Sequence, residues 1–293
     1  MLGELLRWQM AVIDRIHCTD STLRITMVEF DRPSDRPMPR TSRITSRLAL
    51  AAALGLIAAT GAHAQGRGGR GGPSQPPKTP KAAALYDITG YWVSVVTEDW
   101  RFRMVTPLKG DYTGVALNEQ GRKLADAWDP AKDEAAGEQC KSYGAPNLMR
   151  VPGRLHITWQ DDETLKIEAD AGQQTRVLHF ASADESGSTW QGFSKALWEM
   201  IPVGRGVTPV GSLKVVTTHL KSGYLRKNGV PYSANATLTE YFDRVNEANG
   251  DAYLVITTTV EDPAYLAQPF LTASHYRKQP DASGWNPTPC SAR

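Results

Sequence analysis

The feature that most constrains this chain is a period-two alternation of apolar and polar residues, in short runs separated by turn signals. Leu155-His156-Ile157-Thr158-Trp159 and Thr164-Leu165-Lys166-Ile167-Glu168 each alternate, and Gln160-Asp161-Asp162-Glu163 between them has the polarity of a turn. Successive strand side chains point to opposite faces, so runs of this kind bury one face and wet the other. Asp170-Ala171-Gly172 turns the chain into a third strand at 175–180, with others expected at 190–194, 212–220, 237–245, 252–260 and 270–278. Asn249-Gly250-Asp251 marks a hairpin, because Asn-Gly favours the positive φ angles of a tight primed turn. Adding 92–97 and 101–105 gives about ten strands in roughly 200 residues, which predicts an all-β antiparallel meander closing into one barrel domain. One helical insertion interrupts it. Asn118 is placed to cap a helix running on to Trp128, and 133–139 adds another turn. Such an insertion lies across one end of the sheet, as a lid or as a plug.

Upstream, Met38-Pro39-Arg40-Thr41-Ser42-Arg43-Ile44-Thr45-Ser46-Arg47 carries three arginines and no acid. An uncharged Leu/Ala-rich run of 13 residues follows at 48–60, and then Ala62-His63-Ala64. A basic start, a short apolar run and an Ala-x-Ala site form the pattern of a secretory signal peptide at 38–64. The run is too short for the roughly 20 residues that cross a bilayer, so the mature chain is expected to have no transmembrane anchor. Residues 1–37 mix short apolar pieces with charge, and read as a start placed too early or as a true extension. Residues 65–83, with Gly-Arg-Gly-Gly-Arg-Gly-Gly-Pro and further prolines, have too little apolar surface to offset chain entropy and form a flexible tether. The barrel domain occupies 84–293.

Charge and cysteine content bound the partners. Residues 1–64 hold eight Arg and six acids, so the chain's 33 bases and 31 acids fall to 25 of each after cleavage. Four of those bases (Arg67, Arg70, Lys78, Lys81) lie in the tether, which leaves the domain acidic and without the basic footprint of a nucleic-acid binder. Cys18 leaves with the leader, and Cys140 and Cys290 remain. Two cysteines in an oxidising compartment are expected to pair, pinning the helical insertion to the C-terminal tail. His156, His179, His219 and His275 form no metal-binding spacing, and no cofactor motif occurs in the domain.

Gly90-Tyr91-Trp92, followed by a strand, resembles the Gly-x-Trp opening of lipocalin-like barrels. That resemblance implies a tryptophan closing one barrel end and an interior for small, mostly apolar ligands. Glu98-Asp99-Trp100-Arg101-Phe102-Arg103-Met104, Lys141-Ser142-Tyr143-Gly144-Ala145, the segment Gly223-Tyr224-Leu225-Arg226-Lys227-Asn228-Gly229 and Thr239-Glu240-Tyr241-Phe242 resemble segments of exported bacterial β-barrel proteins of unassigned function. So do Val260-Glu261-Asp262-Pro263 and Pro269-Phe270. The likeness implies export and a barrel, and no activity.

Two groups of residues stand out as carriers of chemistry. Glu240 is in phase with Leu238 and Phe242 and is expected to point inward, while His219 shares a phase with Leu213, Val215 and Thr217. Glu240 and His219 then form either a general acid/base pair or, for Glu240 with Arg244, an internal ion pair that fixes packing. Glu98, Asp99, Trp100, Arg101 and Arg103 converge at a junction, where Arg101 and Arg103 on one strand face are suited to hold a carboxylate or phosphate. Surface ion pairs among the same residues are the alternative. Three functions are therefore expected. The first is a periplasmic or secreted barrel binding a small apolar or aromatic molecule, served by Glu98, Asp99, Trp100, Arg101, Arg103 and Arg244. The second is a cofactor-independent hydrolase, lyase or isomerase using Glu240 and His219, and the third a structural cell-envelope module.

Overall fold

The computed structural model describes residues 78–183, 187–202, 204, 208 and 210–293. The extension 1–37, the leader 38–64 and most of the 65–83 tether lie outside the described residues.

The alternating runs form a closed barrel. Its strands are β1 (Gly90–Val95), β2 (Arg154–Trp159), β3 (Thr164–Ala169), β4 (Gln174–His179), β5 (Phe193–Ile201), β6 (Val210–Thr218), β9 (Thr237–Asn246), β10 (Ala252–Glu261) and β11 (Phe270–Lys278). Between β6 and β9, β7 (Gly223–Arg226) and β8 (Val230–Tyr232) make a separate hairpin. The ring runs β1-β11-β10-β9-β6-β5-β4-β3-β2 and closes between β2 and β1. Consecutive strands are antiparallel neighbours, with one departure from the expected meander. β4 and β5 run parallel, pairing Leu178 with Ser194 and His179 with Lys195. Parallel neighbours need a long connection, and residues 180–192 supply it. The strand expected at 190–194 begins only at Phe193, because Gly192 turns the chain with φ 62°. A Cβ at Gly192 would collide with the Thr218 carbonyl oxygen.

Local chemistry sets the turns. The β9–β10 hairpin falls at Asn249-Gly250, but only Gly250 takes a positive φ (92°), and the Asn249 side chain accepts the Asp251 N–H at 2.9 Å. The expected primed turn is therefore replaced by a side-chain-supported one. In β7–β8 the three-residue turn Lys227-Asn228-Gly229 has Gly229 at φ 82°, donating to the Arg226 carbonyl at 3.2 Å. Three-residue hairpin loops with a left-handed glycine have this form.

The interior is filled in layers. Trp92, Leu155, Ile157, Leu165, Ile167, Phe242, Leu254, Ile256 and Tyr276 form one apolar cluster. Leu220, Leu225, Val230, Tyr232, Leu238, Val260 and Phe270 form another with residues of the insertion. Along β9, Leu238 belongs to the second cluster and Phe242 to the first, with Glu240 between them. Burying each such large apolar side chain contributes about 1.5–3 kcal/mol. Trp92 is fully buried, donates from its indole to the Ile88 carbonyl at 2.9 Å, and carries the Lys278 ammonium 4.7 Å above its ring.

The insertion is a plug. It comprises α2 (Glu119–Asp126), α3 (Pro130–Ala135), a 3-10 turn (Gln139–Tyr143) and α4 (Ala145–Leu148). Asn118 caps α2 as expected, its side chain accepting the Gly121 N–H at 2.8 Å. The same side chain donates to the carbonyls of Pro263 and Ala264, which ties the helix to the β10–β11 connection. Val115, Leu117, Ala125 and Ala145 then pack on the barrel-end cluster. The disulfide Cys140–Cys290 fastens the insertion to the C-terminal tail, with the two Cα atoms 5.1 Å apart. No described helix is long and apolar enough to cross a membrane.

Candidate anion site beside the capped barrel end

Residues 101–105, expected as a strand, instead open with a short helix α1, Trp100–Arg103. Asp99 starts it from a left-handed conformation (φ 51°), and its carbonyl accepts the N–H groups of Phe102 (2.8 Å) and Arg103 (3.1 Å). Aspartate tolerates that conformation better than most residues. The change of element separates the two arginines. Residues two apart share a strand face but diverge around a helix. Arg101 turns out to Asp111 at 2.5 Å and stays exposed. Arg103 turns in, donating from Nε to the Arg150 carbonyl at 2.8 Å and pairing with Glu98 at 3.3 Å.

Two further arginines meet it there. Arg150, between α4 and β2, donates to Asp99 at 3.0 Å and lies 5.4 Å over the Phe270 ring. Arg226, at the end of β7, donates to the Thr113 carbonyl at 2.7 Å and stacks 4.0 Å from the centre of Phe102. The three residues are only 8%, 3% and 2% exposed (Arg103, Arg150 and Arg226), yet all line a cavity of about 100 Å³ with Phe102, Asn147 and Lys227. Each keeps one buried N–H group without a partner: Arg103 Nη2, Arg150 Nε and Arg226 Nε.

The charges do not balance. Glu98 and Asp99 serve Arg103 and Arg150, while Arg226 has no carboxylate partner among the described residues. Burial, reinforced by the neighbouring Arg150 and opposed by Asp99 and Asp111, pulls the Arg226 guanidinium down to about 10, and burial also lowers Arg150 against the pull of Asp99. A buried cation with no carboxylate in direct contact is costly, and an anion contributed from outside would offset that cost. Guanidinium N–H groups bind carboxylate and phosphate oxygens through strong charge-assisted hydrogen bonds.

The other nominated residues lie elsewhere. Arg244 reaches Asn246 at 3.0 Å and the Asp87 carbonyl, away from Glu240. Glu240 does face the barrel interior, fully buried, but its partner is Arg176, with Nη1 on Oε1 at 3.1 Å and Nη2 on Oε2 at 2.6 Å. Arg176 Nη2 also donates to Ser194 Oγ (3.3 Å) and Thr217 Oγ1 (3.2 Å). Both carboxylate oxygens are thus taken up by one guanidinium, and no other titratable group reaches them among the described residues. His219 does not join it. β6 ends at Thr218, so the strand phase that pointed His219 inward no longer applies, and the residue is exposed with φ 54°. Its ring nitrogen Nδ1 lies 3.0 Å from Thr218 Oγ1.

Arg150, Arg226 and Lys227 were not singled out from the sequence. The Asn228-Gly229 pair beside two basic residues was the available signal for a turn that presents Arg226 and Lys227. Nothing comparable marks Arg150. Comparison with known proteins assigns no relative: no family model, curated protein or solved structure matches the chain.

Proposed function

We propose that this chain is an exported β-barrel protein whose capped end binds a small anionic ligand through Arg103, Arg150 and Arg226. The observation that carries it is Arg226, a buried guanidinium in a cavity with no carboxylate of its own among the described residues. The expected apolar ligand inside the barrel finds less support, because Trp92, Phe242, Tyr276 and the Arg176–Glu240 pair occupy that interior. The barrel acts as the rigid scaffold, and binding is placed on α1, the α4–β2 connection and the β7–β8 hairpin.

Thermal melting in sodium phosphate, sulfate or acetate at constant ionic strength tests the site. An anion at a hundred times its Kd stabilises by about 2.7 kcal/mol, roughly 5–10 °C in a domain of this size. Arg226→Met removes that response while leaving unliganded melting within a few degrees, because the lost bond to Thr113 is offset by removal of the buried charge. A parent protein whose melting ignores all three anions overturns the assignment.

Export is supported by the leader pattern and by a disulfide suited to an oxidising compartment. Intact mass of the protein recovered from the periplasm or medium of an expressing bacterium is expected to place the first residue at or near Gln65. Recovery with residues 1–64 retained excludes the cleavage.

A further inference from the structure

The anion cavity has an apolar lip that stays exposed among the described residues. Trp100 is 64% exposed, Met104 60%, Val105 68% and Leu108 82%, four large apolar side chains within nine residues. Single exposed leucines are ordinary on a protein surface, whereas several large apolar side chains exposed within one short segment point to a contact site. Two of the four, Met104 and Val105, line the cavity together with Arg103, Arg150 and Arg226, and Trp100 and Leu108 flank them in sequence. At about 100 Å³ the cavity is small, on the scale of a single oxyanion group rather than a drug-sized ligand. The remainder of a larger ligand extends past the rim, where Met104 and Val105 offer the exposed apolar side. Free phosphate or sulfate would leave these side chains in water.

Resting on the anion-site reading above, we infer that the ligand is an amphiphile, with a single phosphate or carboxylate head seated among the three arginines and a hydrocarbon tail laid along Trp100, Met104, Val105 and Leu108. Charge complementarity selects the head. The exposed apolar run selects the tail, and its extent sets how much of the tail is gripped.

Isothermal titration of the exported protein with methyl, butyl, hexyl and octyl phosphate, each below its micellar concentration, reads the tail directly. A fully buried methylene is worth about a fourfold gain in affinity, so a half-covered one on this lip gives roughly twofold per carbon. Octyl phosphate then binds on the order of a hundredfold tighter than methyl phosphate. Octanoate reports whether a carboxylate head serves as well, and octanol controls for the tail alone. The paired substitution Met104→Ser and Leu108→Ser flattens the dependence on chain length, and Arg226→Met weakens the whole series. Equal binding of methyl and octyl phosphate overturns the amphiphile and leaves the anion site standing. Absence of binding by every phosphate ester overturns both. Octanol binding as tightly as octyl phosphate also overturns the proposal, since the head would then be unread. Binding to vesicles of phosphatidylcholine with phosphatidate, without binding of any free ester, overturns it in favour of a membrane-docking surface.

Discussion

Glu240→Gln is expected to lower the stability of the barrel by about 3–5 kcal/mol, seen as a fall of roughly 10 °C in melting temperature. The substitution keeps the side-chain volume, so no cavity forms. What changes is the account of charge around Arg176, whose guanidinium is fully buried and draws two of its hydrogen bonds from Glu240. Ser194 and Thr217 contribute neutral oxygens only. A neutral amide accepts one of the two lost bonds and leaves the cation uncompensated. Arg176→Met is expected to cost a similar amount for the mirror reason, an unpaired carboxylate. The double variant Arg176→Met with Glu240→Leu is expected to recover much of the loss, because buried ion pairs are often replaceable by apolar residues of similar volume. Denaturant unfolding of the parent, Arg176→Met, Glu240→Leu and their double variant closes the cycle and gives the coupling energy directly. Additive single effects, or a Glu240→Gln barrel as stable as the parent, would remove the pair from the account of the core.

The second large effect is expected from the disulfide. Joining residues 150 positions apart restricts the unfolded chain over most of the domain. By chain entropy this contributes about 4–5 kcal/mol as an upper figure. The Cys140→Ser, Cys290→Ser protein is therefore expected to melt roughly 10 °C or more below the parent. The loss exceeds the bond itself, because the tail it holds makes a hydrogen bond from Thr288 N to the Asp170 carbonyl at 2.9 Å. The tail also buries Ala292. Reductant is expected to lower the parent's melting temperature towards that of the variant and to leave the variant unchanged. Melting of the variant within about 2 °C of the parent would show that the tail holds without its tether.

The barrel was legible where alternation was clean. β2, β3, β9 and β10 follow the sequence pattern to within one or two residues, because each buries one face and wets the other. Trp-Arg-Phe-Arg at 100–103 alternates equally well and is helical, since Asp99 opens a turn whose carbonyl captures the next N–H groups. Alternation over four residues does not outweigh such local bonds. The inward direction of Glu240 was readable from strand phase, but its partner was not. Arg176 lies 64 residues away in a strand that pairs with neither neighbour of β9, and only barrel closure joins them. The anion site fails to show in sequence for the same reason. Its three arginines come from a helix, a connection and a hairpin, each of which looks like ordinary surface until the plug is in place.

The way the ring closes also orders events in time. β1 pairs with β2 on one edge and with β11 on the other, matching Trp92 with Leu155 and with Lys278. A chain delivered N-terminus first presents β1 early, and its first edge is satisfied as soon as β2 arrives. Its second edge waits for the last strand. Until then a row of unpaired backbone groups stands open, the kind of edge on which chains associate with one another. Such long-range closure is also the slow step expected of a β topology. The final registration of β11 is thus the event that both completes the fold and conceals its most adhesive edge. A chaperone guarding that edge would need to hold on until the C-terminal strand emerges.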